Sequence, residues 1–91
     1  MRLKIITVDT HLEREDCDYI TLSIADAANG SFSGSYGIKK GHARAAFCLG
    51  DGRLTAQRRG EVIFSAETSS GFATVNDNVV TVTVDSIKES L

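Results

Sequence analysis

Hydrophobic and polar residues alternate along most of this chain with a period of two, the spacing of a strand half buried in a sheet. In "DYITLSI", Ile20, Leu22 and Ile24 fall on one face, with Tyr19, Thr21 and Ser23 on the other. "NVVTVTVD" sets Val80, Val82 and Val84 against Val79, Thr81 and Thr83. "GEVIFSAE" offers Val62, Phe64 and Ala66 as an inward row and Ile63, Ser65 and Glu67 as the outward one. β-branched side chains suit such a pleated surface, so these three segments read as strands. "RLKIITV" and "GRLTAQR" read as strands with less regular alternation, and no long 3.6-residue pattern competes.

Turn residues punctuate these runs at short intervals. "GDG" at 50–52, "RRG" at 58–60, "TSSG" at 68–71 and "NDN" at 76–78 each join two strand-like segments. The pattern predicts an all-β fold, a small two-sheet antiparallel β-sandwich or flattened barrel of about 8–10 short strands. The expected domain is residues 1–86, followed by a short tail at 87–91. That tail, within "SIKESL", is helix-compatible but too short to hold a helix alone. "ADAANGSFSGS", residues 25–35, reads instead as a long loop, anchored by Phe32 where that ring packs.

A length of 91 residues makes one domain, which buries roughly 60–65% of the surface its unfolded chain exposes. Its core is small, and a deep substrate cleft would be hard to carve from it. Apolar runs fall far short of the ~20 residues that span a bilayer. Met1-Arg2-Leu3-Lys4 leads straight into a strand-like segment without a secretory signal, so the chain is expected to be cytoplasmic. A net charge of −2 argues against a dedicated nucleic-acid binder. Its distribution is more telling. Asp9, Glu13, Glu15, Asp16, Asp18 and Asp26 stand against Arg14 alone, a block of −5. Lys39, Lys40, Arg44, Arg53, Arg58 and Arg59 stand against Asp51 alone, a block of +5. On different faces these blocks would polarise the molecule, as suits a part that docks in one orientation. As solvated loops they would carry no such meaning.

Candidate chemistry is sparse. Two cysteines, Cys17 and Cys48, with only two histidines do not assemble a four-ligand zinc site. They read as buried, inert thiols. The glycines at 30, 34, 37 and 41 form neither GxxxxGK[ST] nor GxGxxG, and "GSFSG" lacks the nucleophile-elbow spacing. Glu15 and Asp16 are adjacent and point to opposite faces of a strand. Glu13 and Glu15 share a face, but no histidine or ligand pattern accompanies them. The chain is therefore expected to be non-catalytic and free of metal and cofactor. His42, in "GIKKGHARAAF", is open to four readings: catalyst, ligand, packed residue or docking residue. With His11 distant in sequence, the structural or surface reading leads, followed by part of a protein interface.

Three blocks of residues resemble a known family. "MRLKIITVDTHLERED" followed by "DYITL" is similar to the first strands of the N-terminal β-sandwich of the F-type ATP synthase epsilon subunit, the counterpart of the mitochondrial delta subunit. "YGIKKGHARAAF" resembles that family's segment around Gly-His-Ala, and "SSGFATVNDNVVTVTVDS" its Ser-Gly-Gly block, turn and Val/Thr-rich strand. The resemblance covers about residues 2–86. It implies a non-catalytic rotor subunit that grips the gamma subunit, rests on the c-ring and couples ion flow to ATP synthesis. It implies an interface of Ser35, Tyr36, Gly37, Ile38, Lys39, Lys40, Gly41, His42 and Arg44. It also implies a peripheral place at the cytoplasmic face of a bacterial plasma membrane, without direct insertion. Small side chains in the segment suit a close approach of backbones.

This chain departs from the family at one end of the domain. Lys40 and Arg44 stand where prolines are usual, Ser35 stands where many members carry an acid, and the segment 25–35 is longer. The sequence stops at "VDSIKESL", where members continue into a two-helix hairpin, so a short or divergent member is expected. Two other readings remain. One is a standalone β-sandwich interaction or ligand-binding module, which the long loop and missing prolines favour. The other is a small hydrolase with an unrecognised site.

Overall fold

The computed structural model describes residues 1–25 and 32–90. Among the described residues it forms ten strands: β1 (Arg2–Ile6), β2 (His11–Arg14), β3 (Tyr19–Ala25), β4 (Phe32–Lys39), β5 (Ala45–Leu49), β6 (Gly52–Arg58), β7 (Glu61–Thr68), β8 (Gly71–Asn76), β9 (Val79–Val84) and β10 (Ile87–Glu89). The all-β expectation holds. The expected loop at 25–35 falls mainly on residues 26–31, outside the described residues, as does the Phe32 side chain. Its flanks are strand, since Ala25 closes β3 and Phe32 opens β4. The helix-compatible tail is strand too, because Ile87–Glu89 pair antiparallel with β7.

Hydrogen bonding runs in the order β10-β7-β6-β3-β5-β8-β9-β1-β2, with β4 on β3. β3 is the joint. Its Tyr19–Thr21 half pairs with β6, Ile24 pairs with Leu49 of β5, and β4 lies along its other edge. The sheet curls there into two layers, β4-β3-β6-β7-β10 and β5-β8-β9-β1-β2. One pair departs from the antiparallel expectation: β1 runs parallel to β9, Arg2 opposite Val79 through Ile6 opposite Thr83. β1 reaches β9 without a hairpin, so no tight turn dictates its direction.

Strand alternation decides what enters the core. Leu3, Ile5, Ile20, Leu22, Ile38, Leu54, Phe64, Val75, Val80 and Val82 are almost wholly buried, each on its strand's inner face. Val62 breaks the expected inward row and is 42% exposed. Ala56 opposes Phe64 but Gln57 opposes Val62, so Ile63 is an extra residue and the strand flips its faces there. Over Phe64 sits the Arg14 guanidinium, 5.1 Å from the ring centroid, covering the core from β2.

Tight turns define one end of the sandwich. Arg59 and Gly60, with φ of 53° and 80°, link β6 to β7; Asp77 and Asn78, with φ of 53° and 62°, link β8 to β9. Positive φ at both central residues matches strand twist, which is why two residues suffice. This end also carries the chain start, residues 15–18 and the 40–44 turn. The opposite end carries residues 7–10, 50–52, 69–71 and 85–86.

The thiols divide. Cys17 is buried and its amide donates to the Met1 carbonyl, while the terminal ammonium donates back to the Cys17 carbonyl. Burial pushes its thiol pKa up, against the pull of the terminal ammonium and Arg58. Cys48 is exposed on β5, which corrects the expectation that both are buried.

Candidate functional site

β4 delivers the candidate segment to the turn-bearing end, and the turn at Lys40–Gly41 returns the chain toward β5. β4 and β5 lie on different layers and do not pair, so this edge of the sandwich needs side chains to close it. Tyr36 and Phe47 do so, their rings 4.7 Å apart. His42 joins them, 5.7 Å edge-on to Tyr36 and 6.3 Å from Phe47. Its Nδ1 lies 2.7 Å from the Ala43 carbonyl, which accepts only, so in the neutral ring Nδ1 carries the proton. Nε2 then accepts from the Tyr36 hydroxyl at 2.8 Å. Both nitrogens are engaged in holding the turn, so the ring acts as a clasp at this edge.

Main-chain and amide contacts pin the same turn. Gly41, with φ of 78°, donates its N–H to Asn78 Oδ1 at 2.8 Å. The Arg44 Nε donates to Asn76 Oδ1 at 3.3 Å, and Lys40 Nζ lies 2.9 Å from Asp18 Oδ1. Asp18 also accepts the Arg59 N–H at 2.7 Å, so one carboxylate ties the 40–44 turn to the β6–β7 turn. A shallow groove of about 410 Å3 opens there, lined by Asp16, Asp18, Lys40, Arg58 and Arg59.

These contacts correct the polarised-molecule expectation. The acidic and basic blocks meet at one end: Lys40 with Asp18, and Arg58 donating to the carbonyls of Glu15 and Asp16. Glu13 and Glu15, which share a face in sequence, both bind Arg2, at 3.7 and 2.7 Å. That arrangement is structural pairing, and Glu13 also lies 3.4 Å from His11 Nε2, a histidine that the sequence reading left apart from it.

Asp18 gives the site its pH dependence. The Arg59 N–H, and then Lys40, hold its carboxyl below the ordinary carboxylate value. The stability it contributes is therefore present above the unfolded carboxylate pKa, about 3.9, and is lost as pH falls through the depressed folded value. Asp18→Ala is expected to melt below the native chain at neutral pH. Acid titration of both melting temperatures should bring the two curves together at the acid end. A gap that stays constant into that range would exclude this role.

Not every predicted residue reaches the surface. Tyr36 is 38% exposed, and Ser35, Lys39, Lys40, Gly41 and Arg44 are exposed. Ile38 is fully buried and presents no surface, which corrects its place in the expected interface; its part is to anchor β4 in the core. Gly37 faces outward, and a Cβ there would land on the Tyr19 hydroxyl and ring. Its smallness makes room for this chain's own Tyr19.

The structure adds a surface that sequence reasoning missed. Register sets Ile6 beside Thr83, Thr83 beside Phe72, and Phe72 beside Cys48, in one row across β1, β9, β8 and β5. Phe72 is 54% and Ile6 39% exposed, and with Val8 they line a groove of about 310 Å3. The next row is Lys4, Thr81, Thr74 and Ala46. The signal for the apolar row was present in "GFATVN": with Ala73 and Val75 inward, alternation sends Phe72 outward.

Comparison with known proteins gives one family match, described as "ATP synthase, Delta/Epsilon chain, beta-sandwich domain", over residues 1–90. No curated protein matches the chain. Among solved structures, a chain of the Euglena gracilis mitochondrial ATP synthase, OSCP/F1/c-ring in rotational state 1, is similar at a TM-score of 0.74 and 25% identity. That match covers 96% of this chain and 51% of the Euglena chain. A chain of the Tetrahymena thermophila mitochondrial ATP synthase central stalk/c-ring is similar in fold at a TM-score of 0.72 and 16% identity, covering 96% of this chain and 64% of that one. The chain thus spans about half to two-thirds of the length of these neighbours.

Proposed function

The chain belongs to the ATP synthase delta/epsilon family, as its β-sandwich domain, and from that premise we propose that it is a non-catalytic rotor part of the central stalk. It docks on a gamma subunit and a c-ring and helps couple ion flow to ATP synthesis. The observation that carries this reading is the exposed apolar row Ile6–Phe72 on a fold of this family. A strip of that kind suits a large protein partner better than a small substrate. The β4 segment and its turn, Ser35 to Arg44, supply the polar part of the contact.

The turn's departures from the family do not undo this reading. Proline would stiffen the chain through its ring. Lys40 and Arg44, which stand in its place, reach Asp18 and Asn76 and restrain the turn through side chains. Through the assembly the domain lies peripherally at a membrane. The solved neighbours are mitochondrial, and the expected bacterial plasma membrane finds no support in them.

Co-expression with the gamma subunit of the same source tests the proposal. The chain is expected to co-purify with gamma, and Phe72→Glu to weaken capture by about 30-fold, the scale of one buried anchor. His42→Glu and Lys40→Glu should weaken coupling and, because both side chains restrain the turn, lower the melting temperature as well. Native, folded chain that ignores gamma at both low and physiological salt would overturn it.

A further inference from the structure

We propose that residues 85–90 form a strap that opens from β7 as a unit of its own while the rest of the sandwich stays folded. The inference rests on how the strap is held, independently of any docking partner. Asp85, Ser86, Lys88, Glu89 and Ser90 are exposed, and only Ile87 is partly buried against the core. β9, just before it, buries Val80, Val82 and Val84. With one apolar anchor, the strap gains little from burial.

Besides the three-residue ladder to β7 and an exposed ion pair of Glu89 with Arg14 at 3.8 Å, polar clips hold its two ends. At the near end, Ser69 Oγ accepts from the Asp85 and Ser86 amides at 3.1 and 3.0 Å, and the Ser69 amide donates to the Ser86 carbonyl. At the far end, the Ser90 amide donates to the Ser65 carbonyl. Arg53 Nη1 donates to both Ser65 Oγ and Ser90 Oγ at 2.7 Å, while its Nη2 holds Glu67. Apart from Ser65, which is buried beneath the strap, these groups sit at the surface, where water replaces each bond at little net cost. Segments held in this way open at a small fraction of the global free energy.

Opening has a defined consequence. It frees the outer edge of β7, marked by the Ser65 carbonyl and the Ser69 amide, and an unpaired edge is a template for an added strand. The three-residue β10 is therefore an edge guard, short and removable.

Native-state hydrogen exchange on the intact chain tests this. Amides of 85–90 and of Ser69 are expected to exchange at least about 100-fold faster than those of β8 and β9. The Ser69→Ala/Ser90→Ala double variant should speed the strap by a further factor of about ten and leave β8–β9 unchanged. Ser90→Ala alone gives the same comparison if the double variant does not fold. Strap and β8–β9 amides exchanging at one rate, or a variant that speeds both equally, would overturn the proposal.

Discussion

Gly71→Val is expected to leave the chain unable to fold, and Gly71→Ala to cost more stability than the same change at Gly34, Gly37, Gly41 or Gly60. Gly71 opens β8 between Leu49 of β5 and Val84 of β9. A Cβ there would fall on the Thr83 carbonyl oxygen, with Val84 Cγ1 at 2.9 Å. The carbonyl belongs to the sheet backbone, so relief requires β9 to move and its ladder to β1 and β8 to loosen. Overpacking of this kind costs about 1–3 kcal/mol, and more where backbone must shift. For a domain of this size that is a fall of about 4–8 °C in melting temperature per kcal/mol. Gly60 is the control, with φ of 80° and nothing within 4 Å of an added Cβ. Gly60→Ala suffers only backbone strain, about 1 kcal/mol. Thermal unfolding should order the three as native, Gly60→Ala, then Gly71→Ala well below. Gly71→Ala melting level with Gly60→Ala would refute the close-approach account.

That glycine stands in the third of the resembling blocks, a region legible in the sequence. "TVNDNVVTVTV" combines alternation, β-branching and a two-residue turn, and each predicts the same hairpin. Val80, Val82 and Val84 are accordingly buried. Val62 was misread because a bulge obeys the partner strand: nothing in "GEVIFSAE" marks Ile63 as the extra residue. The strand in the tail went unread because three residues of β10 derive their state from the β7 edge, a tertiary partner that local propensity does not see. How the charge blocks meet was not legible for a similar reason. Sequence separation set them apart, while the joint at β3 brings Asp18 to Lys40 and to the Arg59 amide. In the candidate site, the residues of the His42 turn came from the family resemblance alone. The clasp of Tyr36, His42 and Phe47 was not legible, since it needs β4 and β5 to face each other across the open edge of the sandwich.

Gly37 separates a docking role from a packing role. Its smallness, read from sequence, suits an approaching partner; in the fold the Tyr19 ring already occupies the space. Tyr19 opposes Lys39 and reaches diagonally across β4, covering the strip of bare backbone that glycine leaves in a strand. Gly37→Val should therefore displace a half-buried ring and cost about 1–3 kcal/mol even with no partner present. The obstacle is a side chain, so it is removable. In a Tyr19→Ser background the same Gly37→Val change should cost little, and β-branched valine in mid-strand can even regain stability. The double-mutant cycle, read by denaturant unfolding, is expected to show a coupling of about 1–2 kcal/mol. Additive effects would mean that Tyr19 is not what the glycine accommodates. If Gly37→Val/Tyr19→Ser also binds gamma as the native chain does, position 37 serves the fold, and the contact surface lies with the exposed residues around it.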